Sequence, residues 1–499
     1  MAALACAALM AWLQFSFFEG LMEGDSYFHA RAAEQLTSHG IDTRFPQAAY
    51  STWRDSYSDK DFLFHLALIP FCGSEKRLVS GGKIAVVVFN AALFMVLAVA
   101  MVRLGIRCVP LWLALLLSAH PWIWFHLSAL RPHLLALLLV SLELFFLLRR
   151  RPLALGLTTA CHVLAHSSFV LVPCFVLARS VAQRLHREPV LWDCWEAVLA
   201  GIAGATLLHP YFPHNVSVAA DQIIWVAGSV WLPKSGLPPD LFGGELQPLS
   251  FAEFLRASPG WAPGVVGLAA LLASPRRRPS SSTTSLALTT AGLLALSFGS
   301  FRFVVFALLA SAMFAGSAWS ELAGDRSWRR LWRARDHRTA AVLLFFAACL
   351  IFGQTRANPM WVGNVLSKQR MPGVYARAIA ALDERAAPED QVYHNFWWEF
   401  AWLYHFRPEG RYIEGLDPIF LYRFDPERFD GMLQAYRGRA QDLYGVIAGQ
   451  FDARWVFVPK LPRTRRFRAS LLREPRIRRV YSDRFAEIYQ VPPQPHGQR

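Results

Sequence analysis

Asp25 stands seven residues after the first apolar block of the sequence, in the polar stretch 23–31. A carboxylate at a bilayer surface can deprotonate an acceptor or bind a divalent cation. Asp25 also precedes an amphipathic stretch, 26–38, so it could instead cap a helix. The two interpretations are compatible, because a helix N-terminus also favours anions. Both stay open for Asp25 alone.

Two further charged residues have unusual surroundings. Glu245 lies in 243–248, where two glycines and a proline predict a shaped loop, although a solvated carboxylate would be the ordinary interpretation. Arg302 interrupts the apolar run 296–306, which is costly unless the arginine snorkels or binds something. Because its guanidinium fork suits a phosphate, we predict a functional role for Arg302.

An aromatic run, 393–406, contains Trp397, Trp398 and Glu399. Aromatic faces stack on sugars, and indole N–H groups donate hydrogen bonds. The same run could form a helix that packs in the core of a small domain or at a membrane interface. Both interpretations carry similar weight.

Composition identifies the class of protein to which these residues belong. Of 499 residues, 54% are hydrophobic and only 17% are charged, and the mean hydropathy is +0.27. A soluble protein is less apolar and more charged, so the chain is predicted to be a polytopic membrane protein. Its net charge of +15 arises from arginine runs between apolar blocks, which is typical of cytoplasmic loops and not of a nucleic-acid interface. Seven cysteines without a CxxC pair argue against thiolate metal sites.

Eleven apolar segments are predicted to enter the membrane, with the N-terminus in the cytoplasm. Reading 152–182 as two short helices that turn at 166–168 places every basic cluster on one side. The predicted segments are 1–18, 84–102, 109–127, 133–148, 153–164, 168–182, 195–208, 262–274, 284–300, 303–320 and 339–353.

This topology places loops 19–82 and 209–261 and the tail 354–499 outside the cytoplasm, and it makes 1–353 the membrane domain. The apolar stretch 63–71 is too short to span and is predicted to lie in the interface. The tail is predicted to be a small α/β domain. Its expected features are helix starts at Asp417-Pro418 and Asp425-Pro426 and strands at 412–413, 455–458 and 488–491.

In order along the chain, these motifs resemble the GT-C superfamily of membrane glycosyltransferases, above all the catalytic subunit of oligosaccharyltransferase. The stretch 25–31 stands where that family has an Asp in a pattern such as DPYxxYR. The stretch 245–248 matches its ExQP-like motif, and Arg302 looks like its arginine that binds the donor diphosphate. The stretch 397–401, Trp-Trp-Glu-Phe-Ala, is similar to its WWDYG motif.

The resemblance implies an enzyme that moves a sugar from a polyprenyl-phosphate or polyprenyl-diphosphate donor to an extracytoplasmic glycan, lipid or protein, with inversion. Asp25 would be the general base or would orient the acceptor, and Arg302 and Arg131 would neutralise the phosphate. The membrane lipid, the donor and the acceptor are the implied partners. The residues expected to contact substrate are Glu245, Asp61, His65, His133, Trp397, Trp398 and Glu399. Protein N-glycosylation, a lipid-linked sugar transporter or flippase, and a non-catalytic scaffold are the alternatives.

The sequence departs from this family at the metal site. Oligosaccharyltransferases have an acidic pair in the second external loop, whereas 128–133 contains no carboxylate here. Asp25 and Glu245 alone would leave Mg²⁺ or Mn²⁺ under-coordinated, and Arg131 would repel the ion. We therefore expect no firm cofactor requirement and doubt a divalent cation. Glu399 and Phe400 replace the Asp-Tyr of WWDYG, so recognition of a peptide sequon does not carry over.

Overall fold

The computed structural model describes residues 2–226, 243–275, 277–324, 337–368 and 373–494. One of the arginine runs, 326–338, and the middle of loop 209–261 lie largely outside these residues. The described chain is mainly helical, with one small sheet near the C-terminus. Its first part, up to Lys368, contains the helices α1 Ala2–Ser16, α2 Gly24–Ser38, α3 Phe62–Cys72, α4 Leu78–Arg103, α5 Val109–Ala119, α6 Pro121–Ser128, α7 His133–Leu148, α8 Pro152–Ala165, α9 Leu171–Leu185, α10 Trp192–Leu207, α11 His214–Ala220, α12 Phe251–Arg256, α13 Ser258–Leu272, α14 Ser281–Ser297, α15 Val304–Ala323 and α16 His337–Lys368.

The predicted apolar segments coincide with helices, with one correction. The segment 109–127 is not continuous, because His120 adopts an extended backbone and divides it into α5 and α6. The His120 side chain accepts a hydrogen bond from the backbone N–H of Trp122, 3.2 Å away, and so caps α6. A histidine followed by proline therefore starts a new helix inside an apolar run.

Few of these helices are long enough to cross a bilayer unaided. Within the described residues, Glu75–Arg103, Ser167–Leu185 and Phe301–Ala323 meet the length and hydropathy expected of a span. The pair α6 and α7, bent by 109°, would form a fourth if counted as one broken span. Membrane insertion of apolar helices is therefore supported, while eleven segments remain a prediction.

The break predicted near residue 166 is confirmed. Helix α8 ends at Ala165, and α9 begins at Leu171 after a short 3₁₀ turn. Helix α8 packs against α10, and α9 packs against α14. The two halves of 152–182 are thus separate helices with different neighbours.

The tail is the small α/β unit that the sequence predicts. Helix α16 continues past residue 353, the predicted end of the membrane domain, to Lys368. The elements that follow are α17 Ala376–Asp383, β1 Gln391–His394, α18 Glu399–Phe406, β2 Arg411–Tyr412, α19 Pro418–Phe424, α20 Pro426–Tyr436, β3 Ala453–Pro459, α21 Arg465–Arg473, β4 Arg478–Ser482 and β5 Ala486–Gln490. The five strands form one sheet in the order β2-β1-β3-β5-β4, in which β1 pairs in parallel with β2 and β3, and β5 pairs antiparallel with β3 and β4.

Both predicted helix starts in the tail are confirmed. Asp417 Oδ1 accepts a hydrogen bond from the backbone N–H of Ile419 at 3.1 Å. Asp425 caps α20 in the same way, through the backbone N–H groups of Glu427 and Arg428. In each case proline occupies the first helical turn, where its missing N–H costs nothing.

The first loop, 19–82, joins the tail to the helix bundle. The backbone N–H of Ala49 donates to the carbonyl of Tyr412 at 2.9 Å, which extends the sheet edge. On α2, the buried guanidinium of Arg31 donates to the carbonyl of His405 at the C-terminal end of α18 and pairs with Glu75. Helix α2 is therefore held against α18, which fixes the direction in which its first turn points.

Candidate active site

A polar cavity lies between the end of the helix bundle and the tail domain. It collects residues from the start of α2, the α6–α7 connection, the loop before α12, the turn before α15 and the tail. Seven residues singled out from the sequence line it, although up to 372 positions separate them in the chain: Asp25, Asp61, Arg131, His133, Glu245, Arg302 and Trp397.

Asp25 does not cap α2, contrary to one of the two interpretations. Glu23 occupies the N-cap position, and Asp25 lies in the first turn of the helix. Its Oδ2 accepts from the guanidinium of Arg131 at 2.8 Å. The carboxylate is therefore held at the cavity by an ion pair and not by the helix backbone.

Arg131 is the centre of the charge cluster. Its guanidinium contacts Asp25, lies 3.2 Å from Glu23 Oε1, and donates two hydrogen bonds to Glu245 at 2.9 and 3.2 Å. Burial disfavours its charge, but the surrounding carboxylates outweigh burial and raise the pKa of Arg131. Arg131 is thus a permanent internal cation among three carboxylates.

Glu245 joins the two arginines of the site. Its short 3₁₀ turn, 244–246, places the buried carboxylate between Arg131 and Arg302, and the Arg302 guanidinium donates to Oε1. Burial alone would raise the pKa of Glu245, but the two guanidinium groups hold it well below its usual range. Glu245 is therefore ionised at physiological pH, and Arg302 keeps donor groups that this single carboxylate does not use.

Polar side chains from the first loop, from loop 209–261 and from the tail line the rest of the cavity. Lys60 Nζ donates to Gln222 Oε1 at 3.3 Å, and Gln222 Nε2 donates to Asp417 Oδ2 at 2.9 Å. Burial raises the pKa of both Asp61 and Asp417, which Lys60 partly offsets. The tail domain therefore supplies part of the cavity through Trp397 and Asp417.

An apolar cavity of about 310 Å³ opens beside the polar one. Leu171, Leu296, Phe303 and Phe306 line it, and Arg302 lines both cavities. One cationic side chain thus stands at the junction of an apolar and a polar compartment.

Three residues predicted to contact substrate do not reach the cavity. His65 lies one layer behind it and bonds to His29 and Asp59. Trp398 instead stacks on the guanidinium of Arg463, which lies 3.7 Å from the ring centroid. Glu399 is fully buried at the start of α18, where it accepts from the backbone N–H of Asn395 at 2.9 Å. The motif similarity at 397–401 therefore carries one cavity residue, Trp397.

Burial of Glu399 predicts a pH-dependent stability of the tail domain. Removal from water raises the pKa of Glu399 to about 8, although Arg463 opposes the shift. Since the folded protein holds this proton more tightly than the unfolded chain, the stabilising contribution is complete below about pH 4.5 and is lost as pH rises through about 8. We expect the Tm of the Glu399→Gln variant to fall less than that of the wild type between pH 5 and 8.

Thermal unfolding in detergent, followed by intrinsic fluorescence, measures this difference. The exposed carboxylate of Glu389 provides the matched control, because Glu389→Gln should leave the pH dependence unchanged. Equal slopes in the wild type and Glu399→Gln would contradict the protonated state of Glu399.

Sequence reasoning missed His29, His166, Gln222 and Asp417 as cavity residues. His29 could have been found, since it lies four residues after Asp25 and shares its face of α2. His166 and Asp417 appeared in the sequence only as turn and cap residues. Gln222 carried no local signal.

The carboxylates of the site do not fit a divalent cation. Asp25 and Glu245, the two ligands considered from the sequence, both pair with the guanidinium of Arg131. Within the described residues, no group of three His, Cys, Asp or Glu side chains has the geometry of a metal site. Ions of this kind need about six oxygen ligands, which these side chains do not offer.

Solved structures of two other proteins share this fold over most of the chain. AglB, an oligosaccharyltransferase from Archaeoglobus fulgidus solved with an inhibitory peptide and a dolichol-phosphate, superposes with a TM-score of 0.62 over 92% of this chain and 69% of its own, at 12% identity. ArnT from Cupriavidus metallidurans, solved with undecaprenyl phosphate, superposes with a TM-score of 0.57 over 99% of this chain and 98% of its own, at 14% identity. The chain shares the fold of these two proteins over most of its length.

The likeness to these proteins is found by structure alone. The sequence matches no protein-family profile and no curated protein. The apo form of ArnT is also similar, with a TM-score of 0.56 and 15% identity. The resemblance inferred from the ordered motifs is thus confirmed at the level of the fold.

Proposed function

We propose that the protein is an integral-membrane glycosyltransferase that uses a polyprenyl-phosphate or polyprenyl-diphosphate sugar donor and an acceptor outside the cytoplasm. The position of Arg302, between an apolar cavity and a cavity of charged groups, carries this proposal. A polyprenyl-linked sugar has the same division, since an apolar chain joins a polar sugar through an anionic phosphate. The two cavities match both parts of such a donor.

In this arrangement the lipid chain lies along the apolar cavity, and Arg302 binds the phosphate. The acceptor oxygen attacks the anomeric carbon on the face opposite the phosphate, and the bond from that carbon to the phosphate oxygen breaks. Direct displacement inverts the anomeric centre. Arg302 stabilises the charge that develops on the leaving phosphate, and Asp25 faces the acceptor, as its base or its orienting group.

The sugar itself would contact the remaining cavity residues. Trp397 offers an aromatic face, while Asp61 and Asp417 offer hydrogen-bond acceptors from the first loop and the tail. The solved structures support the class of donor, because AglB was solved with a dolichol-phosphate and ArnT with undecaprenyl phosphate.

We also propose the topology expected from the sequence: eleven segments, a cytoplasmic N-terminus, and a tail domain outside the cytoplasm. The position of one basic cluster supports it. His133 at the start of α7 lines the cavity, whereas Arg149 follows the end of the same helix, a full helix length away. Arginines 149–151 therefore lie on the side opposite the site, as the positive-inside bias requires.

The site is proposed to work without a divalent cation, since Arg131 and Arg302 already pair with Asp25 and Glu245. We expect that turnover of the purified protein changes less than twofold in EDTA and after addition of Mg²⁺ or Mn²⁺. The measurement is the initial rate of sugar transfer after exhaustive dialysis against chelator. A loss of activity in EDTA that Mn²⁺ restores would contradict this proposal.

The proposed function is tested with purified protein in liposomes that contain a polyprenyl-phosphate sugar. We expect release of free polyprenyl phosphate that depends on the acceptor and is matched by a glycosylated product. A transporter would instead move the intact donor between leaflets without releasing the phosphate. Sequon-containing peptides and lipid or glycan acceptors, compared in the same assay, separate protein glycosylation from the other acceptor classes.

A further inference from the structure

A second pocket, of about 180 Å³, lies farther along α2 than the polar cavity. The first turns of the helix line the polar cavity through Asp25 and His29, whereas Phe28 and Ala32 line the second pocket. Among the described residues, the two share none of their lining. The first loop, the start of loop 209–261 and the tail complete the second pocket. Three tyrosines line it, and we call it the tyrosine pocket: Tyr57, Tyr211 and Tyr404.

Aromatic rings form one side of the tyrosine pocket. The ring centroid of Phe45 lies 5.1 Å from that of Tyr57 and 5.2 Å from that of Tyr404. The rings of Tyr211 and Tyr57 are 5.7 Å apart and nearly perpendicular, and Phe28 lies 5.8 Å from Tyr404. Rings packed in this way hold one another in place, so they offer a ligand fixed aromatic faces and edges.

The three tyrosine hydroxyls of the pocket have no partner in the protein. Tyr57, Tyr211 and Tyr404 are 8%, 3% and 2% exposed. None of their hydroxyls forms a hydrogen bond within the described part of the chain. Burial raises the pKa of all three, so each keeps its proton and can donate as well as accept. Since buried polar groups are normally hydrogen-bonded, these hydroxyls favour a ligand that carries hydroxyl groups of its own.

Charged and amide side chains border the rings. Asp59 is buried, whereas Asp42, Arg44 and Glu409 are exposed, and Gln35 of α2 adds an amide. A sugar suits such a lining, because its ring presents C–H groups to an aromatic face and hydroxyl groups to polar neighbours. An apolar side chain of a peptide would leave the tyrosine hydroxyls unpaired, which costs binding free energy.

A wider cavity, of about 690 Å³, adjoins the tyrosine pocket and shares Asp42, Arg44 and Pro46 with it. It borders the tail sheet, where Arg411 of β2 and Arg454 of β3 contribute to its lining. Most of its lining residues are charged, which suits a hydrated chain and not an apolar lipid. The tyrosine pocket therefore has room beside it for further units of a polar chain.

We propose that the tyrosine pocket binds a sugar unit of a glycan acceptor, at a distance from the unit that receives the new sugar. This inference rests on the proposed function and names the acceptor class within it. The donor is assigned to the polar and apolar cavities, with which the described lining of the tyrosine pocket has no residue in common. An α-helix rises about 1.5 Å per residue, so Gln35 lies about 15 Å along α2 from Asp25. A glycan of several units covers this distance.

Direct binding of sugars to the purified protein tests the pocket without turnover. The probes are methyl glycosides of a hexose, an N-acetylhexosamine, a deoxyhexose and a pentose, titrated in detergent and followed by saturation-transfer NMR. We expect saturable binding of at least one of them. Tyr404→Phe removes one hydroxyl and keeps the ring, so the Kd should rise about 3- to 10-fold. Ala32→Phe fills the pocket and should abolish binding.

Tyr481→Phe is the matched control for the loss of a hydroxyl. Tyr481 lies on β4 outside the pocket, and its hydroxyl donates to Asp483 at 3.0 Å. The control should bind the sugar with the Kd of the wild type. Tyr211→Phe provides a second pocket variant, with the same expected rise in Kd, should Ala32→Phe fail to accumulate.

Acceptor kinetics connect the pocket to the transfer reaction. With oligosaccharides released from the surface of the producing cells as acceptors, Tyr404→Phe should raise the acceptor KM about 3- to 10-fold. The donor KM should change by less than about twofold. Sugar binding in the pocket together with an unchanged acceptor KM in this variant would overturn the assignment to the acceptor.

The remaining outcomes distinguish the pocket from the proposed function. Absence of saturable binding for all four glycosides, or equal Kd values in the wild type and in Tyr404→Phe and Ala32→Phe, would overturn the sugar site. Binding of a decaproline peptide that Ala32→Phe abolishes, without binding of sugars, would make the occupant a peptide and overturn it as well. A wild type that binds sugar in this pocket but transfers none would instead overturn the proposed function.

Discussion

Asp25→Asn should reduce sugar transfer by about 10³-fold or more while the protein accumulates normally. The amide keeps the shape of the side chain but removes the charge that faces the acceptor and the reacting sugar. It also leaves Arg131 with two of its three carboxylates, which shifts the cavity toward positive charge. Since the side chain is isosteric and lies at the surface of a cavity, the fold should tolerate the change.

Initial rates of transfer at saturating donor measure this effect. Asp55→Asn is the matched control, because Asp55 lies in the same loop, is exposed and pairs with the neighbouring Arg54. The control should retain wild-type turnover. Full activity in Asp25→Asn would remove Asp25 from the catalytic site.

Arg302→Ala should weaken donor use far more than acceptor use. A charge-assisted contact with phosphate contributes about 1.5–3 kcal/mol, so the KM for the donor should rise by about 10- to 100-fold. The substitution also removes one of the two guanidinium groups that pair with Glu245, and the pair with Arg131 remains. The KM for the acceptor should change by less than about threefold.

Arg302→Lys separates charge from geometry. Lysine restores a point charge without the planar fork, so we expect partial recovery of the donor KM. Arg256→Ala is the matched control, since Arg256 is exposed and pairs with Glu253 outside the cavity. Equal changes in donor and acceptor KM in Arg302→Ala would argue against phosphate binding.

The helices of this protein could be predicted because hydropathy is a local property of the chain. The two helix starts at Asp417 and Asp425 could be predicted equally well, since capping depends on neighbouring residues alone. The division of 109–127 at His120 was missed, because an apolar run conceals a change of backbone direction. Strand β4 was missed as well: it lies at the sheet edge and is half-exposed and basic.

The sequence predicted which residues belong to the site better than it predicted the contacts between them. Asp25, Glu245 and Arg302 stood out because charge is rare in such surroundings. The contacts of Asp25 and Glu245 with Arg131 depend on the packing of α2, α7 and the loop before α12, over more than 100 residues of sequence. The contact of Arg302 with Glu245 depends on the same packing. His29 was overlooked because a histidine on an amphipathic helix has no local signature of its partner, His65.

The proposed transfer reaction is tested most directly by comparing lipid-linked sugars and surface glycans in cells that produce the wild type or Asp25→Asn. Mass spectrometry of both fractions identifies the donor and the product together. We predict that the variant accumulates one polyprenyl-linked sugar and lacks one glycan at the surface. Unchanged donor and glycan, with the variant present at wild-type levels, would contradict a transferase at this site.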